Sequence, residues 1–130
     1  MEALICIPTE YTPNINFNPQ TGEFIISGES RPENASKFFT PVIEWMEQFK
    51  LEVAKKSGVS QRINITFGFS YFNSTSAKFI LDMLKSLDAI KMAGATVHCV
   101  WQYDEQDEDM HDSGEEFEKL ANIKFEFVKI

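Results

Sequence analysis

A strict alternation of apolar and small polar residues constrains the fold of this chain more than any other feature. Positions 63–71 read I-N-I-T-F-G-F-S-Y, so Ile63, Ile65, Phe67, Phe69 and Tyr71 share one face. A period of two residues is typical of a β-strand whose other face is either wet or closely covered by small residues. Apolar residues then recur at helical spacing, at Ala77, Ile80, Leu81, Leu84 and Leu87. A strand that leads directly into an amphipathic helix predicts an α/β fold.

The same order of strand and helix patterns runs through the whole chain. Further strands are predicted at 3–7, 14–18, 23–27, 96–103 and 123–130, and N-P-Q-T-G joins the second and third as a hairpin. Helices are predicted at 76–92 and 115–121, and another is predicted to start near Thr40. Ser30 and Glu33 have the spacing of a capping box, and Pro32 fits a first helical turn. Because Pro41 breaks a helix interior, we expect that early turn to end by Phe39.

The order of these elements predicts one domain over residues 1–130. Strands that alternate with helices imply right-handed crossovers and a largely parallel sheet, which the N-terminal hairpin makes mixed. Strands 63–71 and 96–103 are expected in its middle. The chain has 130 residues, of which 43% are hydrophobic and twelve are phenylalanine, so it can bury a substantial core.

The charge and the cysteines restrict the class of protein. A formal net charge of −8 disfavours binding to nucleic acid and to anionic membranes, both of which need basic surfaces. No apolar run is long enough to insert in a membrane, and the start M-E-A-L-I-C-I lacks the basic region of a signal peptide. Cys6 and Cys99 lie in apolar strand patterns without C-x-x-C spacing, so they are interpreted as buried free thiols in a cytoplasmic protein.

The patterns of common enzymes and metal sites are absent from the sequence. It has no G-x-S-x-G, Walker or G-x-G-x-x-G motif, and neither His98 nor His111 has a sequence partner that suggests a triad. An EF-hand counted from Asp107 has Asp112 where the turn requires glycine. We therefore expect no catalytic residue, metal or cofactor, and we interpret the acidic run at 104–118 as a solvated loop leading into a helix.

Three hydroxyl side chains and an amide stand where strand 63–71 meets the next helix, in Y-F-N-S-T-S-A-K at 71–78. Asn73 and Ser74 are both good N-caps, so the cluster is explained in part as a helix start. One cap needs one residue, however, and the N-terminus of a helix is also a favourable place for a phosphate group. The residues alone leave both interpretations open.

This chain resembles the SiaC family of bacterial regulatory phosphoproteins over nearly its whole length. The resemblance rests on G-E-S-R-P-E-N at 28–34, F-N-S-T-S at 72–76 and an acidic stretch that ends in G-E-E-F at 117. The strand–N-S-T–helix junction is also similar to the phosphorylation site of STAS-domain anti-sigma-factor antagonists. The resemblance implies a STAS-like fold and a phosphorylation-controlled partner switch rather than an enzyme.

The resemblance also implies partners and site residues. A serine/threonine kinase would phosphorylate Ser74, with Thr75 as the alternative acceptor, and a metal-dependent serine/threonine phosphatase would reverse the reaction. The unmodified protein would activate a target, in that family a diguanylate cyclase, and so raise cyclic di-GMP and favour biofilm formation. Residues expected to flank the acceptor and contact partners are Tyr71, Asn73, Thr75, Ser76 and Lys78. A secondary contact is assigned to Glu29, Arg31, Glu33 and Asn34.

Two other functions are compatible with the sequence. One is a STAS-like module that binds a small ligand or regulates transport. The other is a small hydrolase or transferase with Ser74 as its nucleophile, which requires a histidine and a carboxylate to converge on that residue.

Overall fold

A computed structural model describes residues 1–56 and 61–130 of the chain. Its strands are β1 (Leu4–Cys6), β2 (Asn14–Phe17), β3 (Glu23–Ser30), β4 (Arg62–Phe72), β5 (Thr96–Tyr103) and β6 (Phe125–Lys129). Its helices are α1 (Ala35–Lys55), α2 (Ser74–Met92) and α3 (Glu108–Ala121). This order of elements confirms the α/β prediction.

The six strands form one mixed sheet in the order β1-β2-β3-β4-β5-β6. β1, β2 and β3 pair antiparallel, whereas β3, β4, β5 and β6 pair parallel. β4 and β5 are interior strands, as predicted. The right-handed sense of the crossovers stays a prediction.

The core lies on one face of the sheet. Buried residues pair across the strands, as in Phe24 with Ile65 and Ile65 with Cys99. α1 and α2 pack against one another, and α2 and α3 also contact the sheet. The opposite face of β4 carries Asn64 and Ser70, which are exposed. That strand therefore has one wet face, the first of the two alternatives that its alternation allowed.

A β-bulge in β4 changes which aromatic side chain reaches the core. Gly28 pairs with Phe69 and Glu29 with Tyr71, so Ser70 is an extra residue that shifts the alternation by one. Tyr71 is consequently 48% exposed, whereas the ring of Phe72 packs 5.7 Å from that of Phe117. The prediction that Tyr71 shares the buried face of Phe69 is wrong for this reason.

The beginning of α1 also differs from its prediction. Ser30 is the last residue of β3 and is buried, so it forms no capping box with Glu33. Asn34 caps α1 instead, its side chain accepting a hydrogen bond from the Lys37 N–H at 3.0 Å. α1 continues unbroken through Pro41, which is on an exposed position. Burial of Phe39, Val42 and Met46 along one stripe outweighs the local cost of the proline.

α3 begins seven residues before its predicted start, so most of the acidic run is helix rather than loop. Asp107 caps it by accepting from the Met110 N–H at 3.0 Å, and Glu108 and Asp109 occupy its first turn, where acids complement the helix dipole. Gly114 allows close approach to the sheet, since a Cβ there would lie 2.6 Å from the Trp101 indole. The Trp101 Nε1–H donates to the Met110 carbonyl at 2.9 Å.

The two cysteines are both free thiols, and Cys99 is buried while Cys6 is half-buried. Burial raises the pKa of Cys99 to about 12, and Lys91 opposes that shift. Burial also raises the pKa of Cys6. Within residues 1–56 and 61–130, none of the helices has the length and apolar character needed to cross a membrane.

Candidate phosphorylation site at the start of helix α2

Asn73 caps α2 and places three hydroxyl side chains around the helix N-terminus. Its backbone is extended, and its side-chain oxygen accepts a hydrogen bond from the Ser76 N–H at 2.9 Å. Helix α2 therefore starts at Ser74, two residues before the predicted start, with Asn73 rather than Ser74 as the cap. The first turn of a helix has backbone N–H groups without intrahelical acceptors, so the end of α2 is electropositive.

The three hydroxyls have different surroundings. Ser74 is exposed, and across the described parts of the chain its Oγ has no hydrogen-bond partner. Thr75 is also exposed, but its Oγ1–H donates to the Asn73 side chain at 3.0 Å. Ser76 is completely buried. Ser74 is thus the hydroxyl that reaches solvent without giving up an existing contact.

A buried pair of serines fixes the position of this corner. The Oγ atoms of Ser30 and Ser76 lie 2.9 Å apart, and the Ser76 hydroxyl also lies within 3.1 Å of the Ser30 carbonyl. The same carbonyl accepts from the Asn73 N–H at 3.0 Å. Both serines are 0% exposed, so the end of β3 is tied to the first turn of α2 inside the protein. Sequence reasoning missed this pair because Ser30 was interpreted as a helix cap.

The segment 28–34 lies beside the corner, as β3 runs parallel to β4. Glu29 is paired with Tyr71, and Glu29 also forms a 3.2 Å ion pair with Arg31. The Arg31 guanidinium lies 4.7 Å from the centre of the Tyr11 ring. Glu33 is exposed, and Asn34 caps α1. The structure therefore brings Glu29 next to the site, while Arg31 is held against Glu29 and Tyr11.

The exposed side chains nearest Ser74 in sequence are Tyr71, Thr75 and Lys78. Lys78 lies one helical turn after Ser74, on the same side of α2. Its Nζ is 5.3 Å from the centre of the Phe79 ring. The Lys78 ammonium group, four residues after Ser74, therefore faces the same solvent region as the Ser74 hydroxyl.

The two histidines contact groups other than Ser74. His98 Nε2 lies 3.3 Å from the Glu126 carboxylate on β6. His111 Nδ1 lies 3.4 Å from carboxylate oxygens of both Asp112 and Glu115 on α3. In the part of the chain that the structure describes, neither arrangement provides the base that a Ser74 nucleophile requires. His111, Asp112 and Glu115 are the described residues whose donor atoms lie close enough to share a cation, all within 4.8 Å of one another.

Comparison with known proteins decides the family. The sequence model that describes the SiaC family of regulatory phosphoproteins matches residues 7–130 of this chain. The chain belongs to the SiaC family.

A curated relative and solved structures of SiaC are similar to this chain over most of its length. The chain is 30% identical over 117 residues to an uncharacterized protein of Pseudomonas aeruginosa strain UCBPP-PA14, covering 90% of this chain and 88% of that protein. The crystal structure of apo-SiaC from Pseudomonas aeruginosa matches with a TM-score of 0.84 and 27% identity, over 98% of this chain and 99% of that one.

A second SiaC structure contains a partner. It is the crystal structure of the diguanylate cyclase SiaD in complex with its activator SiaC, also from Pseudomonas aeruginosa. This chain matches it with a TM-score of 0.83 and 28% identity, over 98% of its own length and 99% of the matched chain. The chain is therefore a regulatory phosphoprotein of the SiaC family, with the fold of that family over 98% of its length.

Proposed function

We propose that this chain is a non-enzymatic partner switch controlled by phosphorylation of Ser74. In the unmodified state it binds and activates a diguanylate cyclase, and phosphorylation at the α2 corner releases the cyclase. A kinase adds the phosphate and a metal-dependent serine/threonine phosphatase removes it. Residues 1–130 act as a single domain, and the pathway is cytoplasmic.

The observation that carries this proposal is the position of Ser74. It is the first residue of α2, it is exposed, and its Oγ has no hydrogen-bond partner within residues 1–56 and 61–130. Thr75 would have to give up its bond to Asn73, and Ser76 is buried. Membership of a regulatory phosphoprotein family and the likeness to SiaC in its complex with a cyclase supply the partner.

The free protein tolerates the phosphate well. The electropositive end of α2 stabilises an anion by about 0.3–1 kcal/mol. Backbone N–H groups of the first turn supply donors for phosphate oxygens. Phosphorylation therefore leaves the fold intact, and its effect is exerted on the bound state.

The charge of the phosphate accounts for release. Phosphoserine adds about −1.5 to −2 charge units near neutral pH to a chain that already carries −8. A partner that covers Ser74 must strip water from this anion without pairing it, which costs several kcal/mol. Reversing a population from 1:99 to 99:1 takes about 5.5 kcal/mol, so desolvation of this charge is of the size that a switch needs.

The acceptor assignment is tested by matched alanine variants. Wild-type chain, Ser74→Ala and Thr75→Ala are incubated with the cognate kinase, and the phosphorylated residue is mapped by mass spectrometry. We expect phosphorylation of the wild type and of Thr75→Ala at Ser74, and no phosphorylation of Ser74→Ala. Phosphate on Thr75 in the Ser74→Ala variant, together with its loss in Thr75→Ala, would contradict the assignment.

A further inference from the structure

Three side chains of the kind that bind metal ions meet on helix α3. His111 Nδ1 lies 3.4 Å from an Asp112 carboxylate oxygen and 3.4 Å from a Glu115 carboxylate oxygen. One donor atom from each residue lies within 4.8 Å of the other two. His111 and Glu115 are one helical turn apart, and this spacing places two side chains on the same face of a helix. We call these three residues the α3 cluster.

The separations within the α3 cluster fit ligands around one ion better than they fit direct hydrogen bonds. A charge-assisted hydrogen bond between a nitrogen and a carboxylate is about 2.7–2.9 Å long. Zn²⁺ takes nitrogen and carboxylate ligands at about 2.0–2.2 Å, so two ligands at a tetrahedral angle are about 3.3–3.6 Å apart. Both distances from His111 Nδ1 fall in that range. Asp112 and Glu115 are exposed, so rotation of their side chains can bring the distance between their two carboxylates into it as well.

Two aromatic rings of the sheet hold the His111 imidazole in place. The ring centre of Tyr103 on β5 lies 4.8 Å from that of His111, and the ring centre of Phe127 on β6 lies 5.1 Å from it. The His111 side chain is only 33% exposed, whereas the Asp112 side chain is 72% exposed. Because packing already restricts the imidazole, binding an ion here costs less side-chain entropy than it would at a freely rotating surface histidine.

The charge around the α3 cluster favours a cation. In the parts of the chain that the structure describes, the ion-pair contacts of Asp112 and Glu115 are with His111 alone, and no lysine or arginine neutralises them. The same helix carries four further acids, at Glu108, Asp109, Glu116 and Glu118, in a chain with a net charge of −8. A bound ion with two positive charges would be the largest local charge and would offset both carboxylates of the cluster.

The donor set selects the class of ion. Ca²⁺ and Mg²⁺ prefer oxygen ligands, so an imidazole nitrogen disfavours them. The cluster has no thiolate of the kind that favours monovalent copper. One imidazole and two carboxylates suit Zn²⁺, which at a site with three protein ligands takes water as the fourth.

We propose that the α3 cluster binds one Zn²⁺ ion through His111 Nδ1 and the carboxylates of Asp112 and Glu115. The three ligands come from adjacent turns of one helix, so the ion links those turns and stabilises the folded chain by mass action. The prediction that the chain holds no metal came from its poor match to a calcium-binding loop. It overlooked helical spacing, because the acidic run was interpreted as a loop.

The test measures Zn²⁺ binding to the full chain by isothermal titration calorimetry. His111→Gln, Asp112→Asn and Glu115→Gln each remove one ligand and keep a polar side chain. Asp112 and Glu115 are exposed, so the two amide variants should fold like the wild type, which circular dichroism verifies. We expect one Zn²⁺ per wild-type chain, and each of the three variants should raise the Kd at least about tenfold.

Two control variants match these changes elsewhere on the surface. Glu116→Gln removes the exposed carboxylate next to Glu115 on the same helix. His98→Gln removes the other histidine of the chain, whose Nε2 lies 3.3 Å from the Glu126 carboxylate. Both controls should keep the Kd for Zn²⁺ within about twofold of the wild type, because neither residue belongs to the α3 cluster. Titration with MgCl₂ in place of ZnCl₂ should give no saturable binding.

Three results would overturn the inference. The first is the absence of saturable Zn²⁺ binding to the wild-type chain. The second is equal weakening by Glu115→Gln and Glu116→Gln, which would show that the acidic surface attracts Zn²⁺ without a defined site. The third is loss of binding in His98→Gln, which would place the ion beside Glu126. Ser74→Ala should bind Zn²⁺ like the wild type, so the result is independent of the proposed switch.

Discussion

Single hydroxyl groups at the start of α2 have separate roles that depend on burial. Ser74 is exposed and without a partner in the described part of the chain, whereas Ser76 is bonded to Ser30 in the interior. The sequence N-S-T-S pointed to this candidate site, since a strand pattern ends and a helix pattern begins there. It could not rank the hydroxyls, because their burial depends on how β3 lies against α2.

The buried serine pair predicts a stability difference between adjacent residues. Ser76→Ala leaves the Ser30 hydroxyl without its partner inside the protein, which should lower the free energy of unfolding by about 1–3 kcal/mol. Thr75→Ala removes only an exposed hydrogen bond and should change it by less than about 0.5 kcal/mol. Urea denaturation of both variants provides the comparison. Equal losses of unfolding free energy would show that the Ser30–Ser76 contact does not stabilise the junction of β3 and α2.

The Cys99 thiol predicts a loss of stability in alkali. Its pKa is about 12 in the fold against 9.0 for the unperturbed group, so the folded protein holds this proton where the unfolded chain has lost it. The stability that the protonated Cys99 thiol contributes to the fold is therefore complete below pH 9, and it is lost as the pH rises toward 12.

The expected size follows from about 1.36 kcal/mol per pKa unit. At pH 10.5 the Cys99 contribution should be about 2 kcal/mol smaller than at pH 8. Cys99→Ala should lose correspondingly less stability over the same interval, although the variant is less stable at every pH because of the cavity it leaves. Denaturation curves are measured at the two pH values. An equal loss of unfolding free energy in wild type and Cys99→Ala would contradict a raised pKa at Cys99.

At the level of elements, sequence patterns found every strand and helix, but local rules failed at three boundaries. The Ser30 capping box was wrong because that residue continues β3 and pairs with Phe72 on the neighbouring strand. Pro41 did not end a helix, since long-range packing of Phe39 and Met46 holds α1 together on both sides of it. The start of α3 was missed because its acidic first turns carry few apolar residues, and Asp107 was not recognised as a cap.

The bulge at Ser70 shows a further limit of pattern reading. Alternation from Ile63 to Tyr71 is regular in sequence, yet the extra residue moves Tyr71 to the surface and Phe72 toward α3. The position of the bulge is set by how β3 pairs with β4, and the spacing of residues in the sequence does not show that pairing. The shift also places Phe72 among the residues that line a groove between α2 and α3.

The contact of Gly114 with Trp101 predicts the effect of a single added methyl group. Gly114→Ala would place a Cβ 2.6 Å from the indole. Overpacking of this kind costs about 1–3 kcal/mol, more than the roughly 1 kcal/mol gained by replacing a helical glycine. We expect a net loss of stability in thermal denaturation and a change in tryptophan fluorescence. Ser113→Ala is the control on the preceding residue, and an equal gain in both variants would show that α3 does not need this close approach.

At the scale of the whole molecule, the fold places the candidate acceptor where two neighbouring parallel strands end. A mixed sheet carries three helices on one face. Ser74 lies just beyond the C-terminal end of β4, beside the end of β3. The fold class was predictable from alternating patterns, and the family from resemblance; the phosphorylation site stays a prediction. The groove between α2 and α3 was not predictable, because its lining residues come from β4, α2 and α3 and are distant in sequence.

Release of the cyclase by a phosphate on Ser74 is the step on which the proposed function depends. It is tested most directly by titrating the cognate diguanylate cyclase with unmodified chain and with chain phosphorylated stoichiometrically at Ser74, at equal ionic strength. A switch that reverses its populations requires the Kd of the phosphorylated form to be higher by about four orders of magnitude. We therefore predict tight binding and cyclase activation by the unmodified chain, and neither by the phosphorylated chain at the same concentration. Equal or tighter binding of the phosphorylated form would contradict release by phosphorylation.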